Sequence, residues 1–151
     1  MKIMRFALIA LGVTLTIFVA NSLWYAVIMR GFYESSSGSW MQLSRENPAI
    51  PIIVLGMFVL AVLMTVLYPR VQLGIRPPLL ADAVYGMLIG LIYVLPSSLY
   101  YFGTTNFLAF GPMAMDVFWH MIEEGLAGVV LGLLYRRFAD QGLSTRTLEA
   151  T

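Results

Sequence analysis

The chain has 151 residues, of which 60% are hydrophobic and 11% charged, with a formal net charge of +1 and a mean hydropathy of +0.83. A soluble domain is nearer half apolar and about one quarter charged, so the composition points to a membrane protein, and the near-zero net charge argues against a nucleic-acid partner. Cysteine is absent, which excludes disulfides, thiolate metal sites and cysteine nucleophiles.

Four apolar runs, each about 20 residues long and so matched to a hydrocarbon slab of about 30 Å, are expected to be transmembrane helices over 6–29, 50–68, 79–102 and 113–135. Met1-Lys2-Ile3-Met4-Arg5 before the first run mimics a signal peptide. The run nevertheless continues through Leu23-Trp24-Tyr25-Ala26-Val27-Ile28-Met29 without a small-x-small cleavage site, so it reads as a retained helix. Thr14, Asn21 and Tyr25 share one face of it. The loop 31–47 is polar, with Ser35-Ser36-Ser37-Gly38-Ser39 as a flexible stretch and Trp40-Met41-Gln42-Leu43 as a short interfacial turn. The second span offers only Thr65 as a mid-span polar side chain and is expected to be the most lipid-exposed. Pro77-Pro78 suits the start of the third. On that helix Asp82, Gly86, Tyr93 and Ser97 fall within about 60° of one another, and Gly86-x-x-x-Gly90 is a small-residue contact pattern. Asp82 is expected to pair locally with Arg76, and Pro96 to leave a backbone carbonyl free. After Arg137 the tail lacks apolar content and is expected to fray. The ten methionines are scattered, as adaptable packing residues are. The expected architecture is all-α, an integral membrane bundle of four transmembrane helices forming one domain over 1–138, followed by a polar tail over 139–151.

Orientation follows from the basic residues. Lys2, Arg5, Arg70, Arg76, Arg136, Arg137 and Arg146 lie on one side, and only Arg30 and Arg45 on the other. Both termini are therefore expected in the cytoplasm, with the chain in the inner membrane. Trp24 and Tyr25, and Tyr100, Tyr101 and Phe102, are placed to form aromatic belts on the outer side.

The fourth span carries Asp116, His120, Glu123 and Glu124. Ionisable groups in hydrocarbon cost several kcal/mol or more unless paired, and mark a functional site by default. At about 100° per residue all four fall in one sector about 100° wide, with Ala127 among them. At a rise of about 1.5 Å per residue, Glu123 and Glu124 lie near the midplane and Asp116 about 10 Å outward, where it is expected to stay hydrated. Gly125, Gly128 and Gly132 continue the helix as a packing surface. Glu123 and Glu124 are adjacent, hence turned apart, and each is expected to need its own partner from Tyr93, Asn21 and Ser97.

At Leu23-Trp24, Gly31-Phe32-Tyr33, Thr105-Asn106 and Asp116-x-x-Trp119 the chain resembles a family of small bacterial membrane proteins with four helices, catalogued as a domain of unknown function. The resemblance implies the topology and no activity. Asn21 stands where the family has an acidic residue three before the Trp, and Gly103 where it has a loop Asp. If those acids serve a shared ion or metal site, the resemblance implies that this chain has lost part of it or moved it to His120, Glu123 and Glu124.

Three functions compete on these residues. The first is an accessory, scaffold or assembly subunit whose polar stripe joins helices or docks a larger membrane complex through neutral hydrogen bonds. The second is a proton- or cation-coupled small-solute transporter using the fourth-helix carboxylates. The third is a divalent-metal-binding membrane protein, with Asp116, His120 and Glu124 at i, i+4 and i+8 as ligands and a homodimer doubling the set. A single histidine suits haem poorly, and the cofactor is left open. No nucleophile–base–orienter set occurs, so no catalytic residue is assigned. The expected partners are the lipid bilayer and either a second copy or a larger complex.

Overall fold

The computed structural model describes residues 3–36, 48–71, 73–106 and 108–148, the last ten as backbone alone. Helix α1 spans Ile3–Leu23 and widens into a single π turn at Trp24–Ile28, closed by Met29 N–H donating to the Trp24 carbonyl at 2.8 Å. Helix α2 is Arg30–Ser35, α3 is Ile50–Leu67 with a 3₁₀ turn at Tyr68–Arg70, α4 is Pro78–Thr104 and α5 is Phe110–Leu148. Among the described residues there is no β-strand. Four helical stretches are long and apolar enough to cross a membrane: Ile3–Ile28, Ile50–Arg70, Pro78–Thr104 and Phe110–Phe138.

Proline punctuates these elements as its missing N–H allows. It lies in the first turn of both α3 and α4, where no intrahelical acceptor is needed. Pro96 lies inside α4, where it withdraws one donor from the ladder.

The most extensive contact of the fold is between antiparallel α4 and α5, and glycine makes it possible. A Cβ on Gly86 would overlap the Glu124 carbonyl, one on Gly90 the His120 carbonyl, and one on Gly128 the Asp82 carbonyl. Backbones this close gain dispersion and close approach without a hydrophobic term. The apolar core lies beside that seam, where Ile9, Val13 and Ile17 of α1 meet Ala61 and Met64 of α3, Tyr85 of α4, and Ala127 and Leu131 of α5. The Tyr85 hydroxyl donates to the Met64 carbonyl at 2.7 Å, tying α4 to α3. Helix α3 is the least buried of the four and α5 the most, as the featureless second span led us to expect. Its Thr65 is buried and donates back to the Ala61 carbonyl at 2.7 Å.

Three features differ from expectation. The first part of the polar loop is the helix α2, too short to persist alone. An Arg30–Glu34 pair at 2.7 Å and the burial of Tyr33 hold it. The stretches Ser37-Gly38-Ser39 and Trp40-Met41-Gln42-Leu43 lie outside the described residues. The α5 backbone continues helical into the tail as far as Leu148, because a polar segment that lacks a core face can still hold good helix formers. Asp82 pairs with Arg136, whose Nη2 donates to Oδ2 at 2.7 Å, and not with Arg76. Arg76 precedes the two prolines and lies off the helix, whereas Arg136 sits on α5 directly opposite Asp82. The Tyr68 hydroxyl donates to the other oxygen of Asp82 at 2.6 Å.

Candidate functional site

The four ionisable residues of α5 separate into two linked groups. Asp116 is the first. It is 3% exposed, not hydrated as its position near the helix end suggested, because α2 folds over it. The Tyr33 hydroxyl donates to Oδ1 at 2.6 Å and the Tyr25 hydroxyl to the same oxygen at 3.0 Å. Burial and this bond to Asp116 push the Tyr33 phenol above its ordinary pKa, so it remains a donor. Trp24 Nε1–H donates to Tyr33 Oη at 3.4 Å, and the Trp24 and Trp119 rings stack at 4.2 Å and 3°. Trp24 and Tyr25 therefore turn their polar atoms toward this site. The wide turn of α1 falls where both rings must reach α5, a usual place for a π turn at a functional locus. Tyr100, Tyr101 and Phe102 are exposed, as a belt requires.

The second group is His120, Glu123 and Glu124. His120 Nδ1 lies 3.2 Å from Glu123 Oε2 and 3.3 Å from Glu124 Oε1. The two adjacent carboxylates thus share one imidazole, and of the separate partners expected for each only that of Glu123 is in place. Glu123 is 0% and Glu124 1% exposed. Asn21 Nδ2 donates to Glu123 Oε2 at 3.4 Å, the one expected partner that the structure bears out. Tyr93 is 56% exposed and packs its ring edge-on to His120, with centroids 5.8 Å apart, so its hydroxyl does not serve either carboxylate. Ser97 is exposed and donates back to the Val94 carbonyl at 2.9 Å, away from the site. Asp116 also falls outside the ligand-like set: the residues whose donor atoms approach within 4.8 Å of one another are His120, Glu123 and Glu124. The i, i+4, i+8 spacing put Asp116 two turns from Glu124, too far for one ion.

The local chemistry is short of donors. One ring N–H and one amide serve two carboxylates, and Glu123 Oε1 and Glu124 Oε2 have no hydrogen-bond partner. A buried carboxylate oxygen left in this way costs about 1–3 kcal/mol or more. The room for a missing partner lies alongside. A cleft of about 360 Å³ opens between the helices, lined by Asn21, Gly56, Met57, Tyr93, His120 and Glu124. Glycine at position 90 again matters, since its missing Cβ would lie 3.1 Å from Glu124 Oε2. Beyond Glu124 the α4–α5 seam is closed by Gly86 and Gly128, with the Asp82–Arg136 pair at the far end. The cleft therefore reaches His120 and Glu124, with Glu123 buried behind them.

Sequence reasoning missed Tyr33 and Trp119 as site residues. Their one signal was the resemblance, whose Gly31-Phe32-Tyr33, Leu23-Trp24 and Asp116-x-x-Trp119 motifs converge here on a single cluster. Comparison of the chain with protein-family models, curated proteins and solved structures gives no match.

Proposed function

We propose that this chain is a multi-pass membrane protein, with both termini in the cytoplasm, that loads a cation into a dead-end pocket inside the bilayer. The observation that carries this reading is the pair Glu123 and Glu124, wholly buried in an apolar helix, sharing one imidazole and each keeping one oxygen without a partner, with Glu124 and the imidazole lining a cleft. A positive charge in that cleft supplies the attraction and the coordination that the carboxylates lack, and at low dielectric such a pairing is strong. The asymmetry of basic residues supports the orientation. Arg5 donates to the Phe138 carbonyl and Arg136 to Asp82 at one end of the bundle, while Arg30 lies at the other. The cleft then faces the outer half of the membrane. The closed glycine seam below it favours loading and release over conduction.

A scaffold role is the second reading. It is favoured by Asp116, whose hydrogen bonds to Tyr25 and Tyr33 join three segments with no opening.

The two are separated by thermal unfolding of purified protein in mild detergent against chlorides of sodium, potassium, magnesium and zinc and against small organic ammonium salts. The cation reading predicts that one class raises the midpoint. Saturation at about 100 times Kd adds about 2.7 kcal/mol, and the gain disappears in Glu123→Gln/Glu124→Gln. A midpoint indifferent to every class contradicts it.

A further inference from the structure

Within that reading, on which this inference rests, the geometry points to a divalent first-row transition ion as the cargo, held by His120 Nδ1, Glu123 and Glu124. A charge-assisted N–H···O bond is about 2.7–2.9 Å long, and the two His120–carboxylate separations, 3.2 and 3.3 Å, are both longer than that. They match another length. Ligand atoms about 2.0–2.1 Å from a tetrahedral zinc stand roughly 3.3 Å apart, so each of the two His120–carboxylate separations has the length of a tetrahedral edge. All three donor groups lie within 4.8 Å of one another.

Two further observations point the same way. Glu123 Oε1 and Glu124 Oε2, on side chains 0% and 1% exposed, are oxygens without partners at the site. The charge also closes: two carboxylates, a neutral imidazole and a dication sum to zero, the cheapest state in an apolar setting. Sodium or potassium would leave one negative charge uncompensated around a neutral imidazole. The nitrogen donor favours a transition ion over magnesium or calcium, which take oxygen ligands. Three protein ligands leave a fourth position open, as in exchanging and not in structural sites. The cleft is lined by His120 and Glu124 and by Asn21, whose amide is 3.4 Å from Glu123 Oε2.

Cobalt(II) reports this directly, because tetrahedral cobalt has intense visible bands that octahedral aqueous cobalt lacks. The full chain in detergent micelles should develop those bands on adding Co²⁺, saturate at one ion per chain, and lose them on adding one equivalent of Zn²⁺. His120→Ala and Glu124→Gln should each weaken binding by more than the ~10–100-fold typical of losing an outer partner. Ser97→Ala, at a side chain bonded back to its own backbone and away from the site, should bind as the parent does. Unchanged gel filtration and helical circular dichroism keep the variants comparable. Cobalt that stays octahedral, or that binds His120→Ala as tightly as the parent, overturns the assignment. If sodium, potassium or an ammonium salt still raises the midpoint in that case, the pocket holds another cation. If nothing does, the cation reading falls with it.

Discussion

Gly86→Ala is expected to lower the stability of the folded chain in detergent by about 2–3 kcal/mol, near the upper end of overpacking costs. The added methyl would coincide with the Glu124 carbonyl and press on the Cα of Gly125. Both are backbone atoms of a packed helix, so the clash is relieved only by separating α4 from α5. That separation also loosens Gly90 against His120 and Gly128 against Asp82, since all three pairs belong to one seam. The effect should therefore exceed that of a single lost contact, and it should carry Glu124 away from Gly90 of α4. Gly103→Ala and Gly111→Ala are the controls. A Cβ at either meets nothing within 4 Å, and each should change stability by no more than about 0.5 kcal/mol. Unfolding followed by circular dichroism in increasing denaturing detergent measures all three. Equal midpoints for Gly86→Ala and the controls would mean that the helices do not approach so closely.

Arg136→Ala should be the most costly single change at the far end of the bundle, at about 2 kcal/mol. Losing one partner of a buried ion pair costs about 3–5 kcal/mol, because the remaining charge stays buried. Here the Asp82 side chain is 4% exposed but Arg136 is 38% exposed, so solvent screening reduces the figure. The Tyr68 hydroxyl continues to serve Asp82 at 2.6 Å. Asp82→Asn should cost less, about 1 kcal/mol, since it removes the buried charge and leaves an arginine free to reach water. The double variant should cost less than the sum of the two, a coupling expected of residues in direct contact. Thermal midpoints of the three proteins decide the order. If Asp82→Asn proves worse than Arg136→Ala, the penalty lies in packing against Gly132, whose missing Cβ leaves space for the Asp82 carboxylate.

The helices were legible because apolar length alone signals them, and the shared face of Asp116, His120, Glu123 and Glu124 because a helix has a fixed angle per residue. What those side chains touch was not legible. Periodicity ranks faces within one helix and carries no register between helices, so Tyr93 and Ser97 were drawn to the carboxylates although one packs on His120 and the other turns back to its own backbone. Depth along α5 suggested a hydrated Asp116, because a six-residue helix with no periodic face left no sign that α2 would cover it. Asp82 was matched with Arg76 for the same reason: nearness in sequence was visible, and the opposite position of Arg136 on an antiparallel helix was not. The glycines gave the clearest long-range hint. Gly86-x-x-x-Gly90 marked a close contact, and the structure places the His120 and Glu124 carbonyls against it.

On the proposed function a cation reaches the buried carboxylates through the cleft, from the side opposite the termini. The absence of cysteine allows a direct measurement, because any introduced thiol is the only one. Gly56 lines the cleft and has free space at its Cβ position, so Gly56→Cys is a tolerated reporter. In right-side-out vesicles its reaction with a small cationic thiosulfonate should be at least tenfold faster than with an anionic one of similar size, as about 1.4 kcal/mol of electrostatic attraction provides. That preference should collapse in the Glu123→Gln/Glu124→Gln background. Equal rates for the two reagents, or reaction only from the side of the termini, would contradict the account.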